Sequence, residues 1–95
     1  MLRTKSWSKM IEMAPLTAFI LINTKIGKED IVSQEINELI KNSHDLKEGK
    51  AYSLFGEYDL IVVISAERIE SVEKFVSALR KMENVTRTTT LVSST

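Results

Sequence analysis

In 95 residues the chain has no cysteine, one proline, three glycines and one histidine. The missing cysteines exclude disulfide bridges, thiolate metal sites and thiol catalysis. His44 has no second histidine to share a metal with, so it reads as a surface turn residue. No serine stands at a recognisable spacing from the His44-Asp45 pair, so no nucleophile–base–orienter set can be named. No apolar stretch approaches the roughly 20 residues that cross a bilayer. Arg3, Lys5 and Lys9 are not followed by the apolar segment of a signal peptide, so a cytoplasmic location is expected. There is no excess charge of either sign: 13 basic and 13 acidic residues cancel. Nucleic-acid binding depends on neutralising many phosphates, and a balanced chain gives no electrostatic reason to expect it.

What is present fits one folded domain, 43% apolar and 27% charged. Residues 1–15 read as an arm or residual linker, or equally as a helical turn packed on the body. Met10, Ile11 and Met13 form a weak apolar cluster, Trp7 stands alone, and Pro15 blocks a helix from running onward. Residues 16–95 carry the domain. Leu16 to Lys25 is rich in β-branched and aromatic residues and predicts a strand. Ala18, Ile20 and Ile22 fall on one face, Phe19 and Leu21 on the other. Lys28 to Asn42 predicts a helix, with Ile31, Val32, Ile36, Leu39 and Ile40 as its apolar stripe. After a turn at Asn42 to Asp45, Leu46 to Phe55 predicts a strand in which Gly49 marks a bulge. Tyr52 and Phe55 are assigned to core and dimer seam. Gly56 to Asp59 is a turn, and Leu60 to Ala66 is a strand apolar on both faces. Arg68 to Met82 is the clearest helix, with Ile69, Val72, Phe75, Val76 and Leu79 at spacings of three and four. Val85 to Ser93 closes the chain as a strand.

The order β-α-β-β-α-β, with right-handed crossovers, implies an α+β, ferredoxin-like fold. Its four-stranded antiparallel sheet would have spatial order 4-1-3-2, with two helices on one face. The first and third strands are the most apolar and belong at the centre. The second and fourth carry the lysines, Arg87 and the threonines, as edge strands do. Helices cover one sheet face, yet the central strands are apolar on both. A second copy of the sheet is the simplest cover, giving a dimeric α+β barrel. About six to eight apolar side chains at about 1.5–3 kcal/mol each amount to on the order of 10–20 kcal/mol gross, an upper bound.

Two short motifs carry the functional reading. Gly56-Glu57-Tyr58-Asp59 taken alone is an ordinary hairpin turn with a solvated acidic pair. Thr88 and Thr90 stand two apart, so their hydroxyls point to the same side of the last strand. The strand preference of threonine accounts for Thr86 and Thr89. With the topology between them, these motifs resemble the effector-binding module of the Lrp/AsnC family of amino-acid-responsive transcription regulators. That family's hairpin reads Gly-x-Tyr-Asp or Gly-x-Phe-Asp, and its last strand has a Thr-x-Thr pattern after a Val, here Val85. Family members usually carry a helix-turn-helix domain before the module, and here only residues 1–15 precede it. The resemblance therefore implies a stand-alone sensor domain that lacks its own DNA reader.

The resemblance further implies a small amino-acid effector held at contacts between dimers by Gly56, Glu57, Tyr58, Asp59, Thr88 and Thr90. It implies no cofactor, no metal, no catalysis and no membrane or direct DNA contact. Homodimers would assemble into an octamer-like ring, and with full-length Lrp/AsnC proteins. The chemistry is compatible: an ammonium group needs a carboxylate, and a carboxylate needs backbone N–H groups. Two other classes share the topology. One is a dimeric α+β barrel enzyme of the small monooxygenase type. The other is an oligomerisation module with no ligand.

Overall fold

The computed structural model describes residues 15–93. The expected arm, with Trp7 and the Met10–Met13 cluster, lies outside the described residues except for Pro15. Six elements follow in order: β1 (Leu16–Thr24), α1 (Glu29–Asn42), β2 (Leu46–Ser53), β3 (Leu60–Ala66), α2 (Ile69–Arg80) and β4 (Val85–Ser93). The strands form one antiparallel sheet in the order β2-β3-β1-β4, the reverse reading of 4-1-3-2.

Alternation along the central strands sorts their side chains. Ala18, Ile20 and Ile22 of β1 pair with Ile64, Val62 and Leu60 of β3, and all six are buried. They pack with Val32 and Ile36 of α1 and with Val72, Phe75 and Leu79 of α2 in one core. Each helix thus buries a narrow stripe. Ile31 and Ile69 match the spacing but stand 45% and 42% exposed in the first turns of their helices.

The opposite sheet face has a different character. Phe19 lies between Val63 and Leu91, and Leu21 between Ile61 and Thr89. Phe19, Leu21, Ile61 and Val63 are half-buried, while Leu91 and Tyr52 are exposed. The expectation that both faces of β1 and β3 are buried is met within the chain on the helix side only. The Lys50 ammonium sits 5.5 Å from the Tyr52 ring centre on the edge of this open face.

Three expectations along β2 are corrected. The strand ends at Ser53 rather than Phe55, because Leu54 N–H turns to the carbonyl of Asp59 (2.9 Å) and closes the hairpin. Phe55, assigned to core and dimer seam, is wholly exposed in that turn and is no part of the chain's own core. Gly49 is not at the bulge. The register shifts between Leu46 and Glu48, whereas Gly49 pairs regularly with Ile64. Gly49 is small because α1 crosses it: a Cβ there would stand 2.8 Å from Cγ2 of Ile40.

Candidate functional site

The hairpin joining β2 to β3 begins with a backbone that only glycine adopts comfortably, since Gly56 has φ +116°. Gly56 and Glu57 are exposed, Tyr58 and Asp59 half-buried. Asp59 is tied firmly to the end of β1. Its N–H donates to the carbonyl of Ile22 (2.9 Å). Its Oδ2 accepts from the Thr24 N–H (2.8 Å) and from the Thr24 hydroxyl (3.3 Å). Thr24 is the buried polar side chain of the described residues, so Asp59 satisfies a hydroxyl that would otherwise be costly to bury. The sequence held a signal for this partner: Thr24 continues the inward-facing series Ala18, Ile20, Ile22 with the one polar member.

Thr88 and Thr90 pair with Ile22 and Ile20, which puts both hydroxyls on the helix-facing side of the edge strand β4. They line an open groove of about 600 Å³ between β4 and α2, together with Val76, Arg80, Val85, Thr86 and Arg87. Thr86 is already engaged, its hydroxyl donating to the carbonyl of Asn23 (3.1 Å). Thr89 pairs with Leu21 and so belongs to the open sheet face.

The structure therefore brings Thr88 and Thr90 together and holds Gly56 to Asp59 apart from them. None of the four hairpin residues lines the groove. Continuing the β1–β3 pairing sets Asp59 level with Asn23, whose neighbour on the other side is Arg87. Two inter-strand spacings, roughly 10 Å, separate the hairpin end from β4. Arg80 has no place in the sequence pattern as a site residue, and Arg87 appears there only as a mark of an edge strand. Arg80 looks like an ordinary basic residue in a last helical turn, and only the crossing of α2 over β4 reveals what it faces. His44 is exposed in the turn after α1. No group of three or more His, Cys, Asp or Glu among the described residues could hold a metal ion. No helix among them is long and apolar enough to cross a membrane.

Comparison with known proteins adds family and fold. The model of the Lrp/AsnC ligand binding domain matches residues 17–94. No curated protein sequence matches significantly. Among solved structures, a hypothetical protein from Pyrococcus horikoshii is 34% identical at a TM-score of 0.68, with 82% of this chain and 88% of that chain covered. A Thermus thermophilus protein is 29% identical at a TM-score of 0.69, with 82% and 91% covered. A transcriptional regulator from Neisseria meningitidis, solved as a complex with L-Met, shares the fold at 15% identity and a TM-score of 0.63. There, 90% of this chain and 53% of that chain are covered.

Proposed function

Because the chain belongs to the Lrp/AsnC ligand-binding domain family, we propose that it is a sensing and oligomerisation domain for a small amino acid. It acts on transcription indirectly, by assembling with full-length Lrp/AsnC regulators, and it catalyses no reaction. The matched span carries this reading: residues 17–94 include both the hairpin and the Thr88-Thr89-Thr90 strand. Two similar proteins are matched over 88% and 91% of their own chains. The Neisseria regulator bound to L-Met is a precedent for an amino acid on this fold.

In the proposed site the effector sits where a second dimer meets the hairpin. Both contacts with Thr24 fall on Oδ2 of Asp59, and Oδ1 is the oxygen that receives the ammonium group. Gly56 lets the chain approach closely enough for backbone N–H groups to reach the carboxylate. Glu57 and Tyr58 shape the rest of the turn. Thr88 and Thr90 reach the ligand from the neighbouring dimer, since within one chain they lie across β1 from the hairpin.

Asp59→Asn tests this more cleanly than Asp59→Ala. The amide oxygen still accepts from Thr24, so the strand end stays closed, but the negative charge is gone. We expect amino-acid affinity to fall about ten- to hundredfold, the loss of one charged hydrogen bond of about 1.5–3 kcal/mol. The melting temperature and sedimentation profile should stay as in wild type. Calorimetric titration decides, after a thermal-shift screen of the amino acids has named the effector. A ligand at 100 times its dissociation constant stabilises by about 2.7 kcal/mol and stands out in such a screen. Affinity unchanged in Asp59→Asn, with altered assembly, would make the carboxylate a bracket alone.

A second expectation follows from the zero net charge. The protein by itself should form no specific complex with DNA. A footprint on a defined site that survives physiological salt would refute this.

A further inference from the structure

We infer that the groove between α2 and the edge strand β4 is a second binding site, for a small carboxylate with a branched apolar tail and no α-amino group. It lies apart from the hairpin and joins Thr88 and Thr90 to Arg80, Ile69 and Val92, which the effector reading leaves without a role.

The groove is continuous and chemically graded. Its larger part, about 600 Å³, is lined by Arg80, Arg87, Thr88 and Thr90. A smaller part, about 310 Å³, continues toward the start of α2 and shares Val76, Arg80 and Thr90 with the first. There the walls turn apolar, with Ile69, Val72 and Val92. Ile69 and Val92 are 42% and 46% exposed, so an apolar tail laid between them would remove their surface from water.

Charge fixes which end of a ligand goes where. The head of the groove has the Arg80 guanidinium and the Thr88 and Thr90 hydroxyls, and among the described residues no Asp or Glu lines it. Arg87 borders it from β4, but its pairing with Asn23 starts its side chain on the open sheet face. Among the described residues the single ion pair joins Lys47 to Glu67, elsewhere in the fold, so no described carboxylate is paired with Arg80. A planar guanidinium matches a carboxylate with two parallel N–H donors. Thr88 and Thr90 stand on the same side of β4 and can add hydroxyl donors. The acidic residue of the groove, Glu73, lines the tail end. It lies seven residues before Arg80, two helical turns or about 10 Å away. An ammonium group α to the bound carboxylate would therefore sit beside Arg80 and out of reach of Glu73. The groove selects a plain or 2-oxo carboxylate over the corresponding amino acid. This is the reverse of the preference proposed for the Asp59 site.

The volumes fall in the range of small-molecule sites, and the head-to-tail gradient suits a branched five- or six-carbon acid. The test is calorimetric titration of the full chain with 3-methylbutanoate, 4-methyl-2-oxopentanoate, leucine, inorganic phosphate and 3-methylbutan-1-ol. The two acids should bind more tightly than phosphate or the alcohol. Arg80→Gln should weaken both about ten- to hundredfold. Arg80 is exposed, so its melting temperature should hold, and a matching melt excludes misfolding as the cause. Asp59→Asn should leave the acids' affinity unchanged.

Failure of both acids to bind, or binding indifferent to Arg80→Gln, overturns the inference. Equal binding of phosphate and the acids reduces the groove to an anion patch and overturns its apolar half. Leucine binding that depends on Asp59, with no binding of the acids, removes this groove and leaves the proposed function standing. Acid binding that depends on Arg80, with no amino acid bound anywhere, does the opposite.

Discussion

Phe19→Asp, or Leu21→Asp, is expected to abolish assembly and leave a chain that unfolds or aggregates. Both side chains occupy the centre of the open sheet face, flanked by Val63 and Leu91 in one case and by Ile61 in the other. The helices are committed to the other face, where Ile20, Val62 and Ile64 are fully buried. A contiguous apolar patch at the middle of a sheet is uncommon on a soluble monomer and marks an interface. If a second copy covers it, an aspartate there places an unpaired charge in a dry seam, on two-fold related sites at once. Removing a charge from water without a partner costs several kcal/mol, and a domain of this size has only about 5–15 kcal/mol to lose. Thr17→Asp, at the margin of the same face, should do much less. Sedimentation velocity at micromolar concentration is the measurement. A wild-type chain that sediments as a stable, folded monomer would remove the basis for the second copy.

Gly49→Val should lower stability by about 1–3 kcal/mol, the usual cost of overpacking. For a domain this small that is a fall in Tm of roughly 5–20 °C. The new Cβ meets Ile40 at 2.8 Å, and Cγ1 and Cδ1 of the same side chain follow at 3.1 and 3.3 Å. Ile40 is β-branched and cannot swing its methyl away without leaving its rotamer. The helix must lift, and α1 rests on β2 through this contact. The double variant Gly49→Val/Ile40→Ala should recover part of the loss, because the two volumes exchange. Additive single losses in the double variant would show that the clash is not what destabilises.

The sequence reading and the structure agree where a pattern is local, and part where distance matters. β3 has the expected limits because its neighbours on either side are turn and bend residues, and β4 starts where expected because Glu83 and Asn84 turn before it. The sheet order followed from handedness and from which strands were polar, both visible in the chain. Gly49 was misread because a glycine within a strand signals either a bulge or a close approach, and only the position of Ile40 decides. Ile31 and Ile69 were counted into buried stripes because periodicity locates a residue around a helix axis. It carries no information on how far along that axis the next layer reaches. The i, i+2 spacing put Thr88 and Thr90 on one side, and the register with Ile22 and Ile20 was needed to say which side. The family of the domain was legible in the hairpin and the threonines. Arg80 was not, because its meaning depends on two elements crossing in space.

One end of the sheet is laced crosswise. Asp59 holds Thr24, Lys25 N–H reaches the carbonyl of Asn84 (2.9 Å), and Thr86 returns to the carbonyl of Asn23. Hairpin, β1 and the start of β4 are thereby stitched into a single belt, with no slack segment between them. This end of the sheet has little capacity to answer a ligand by bending. If the proposed effector acts through an assembly, its message would travel as a tilt of one such end against the next, read in the geometry of the assembly. Amide exchange at Thr24, Lys25 and Asp59 should accordingly rise and fall together. Independent exchange at these three positions would mean that the belt opens one stitch at a time.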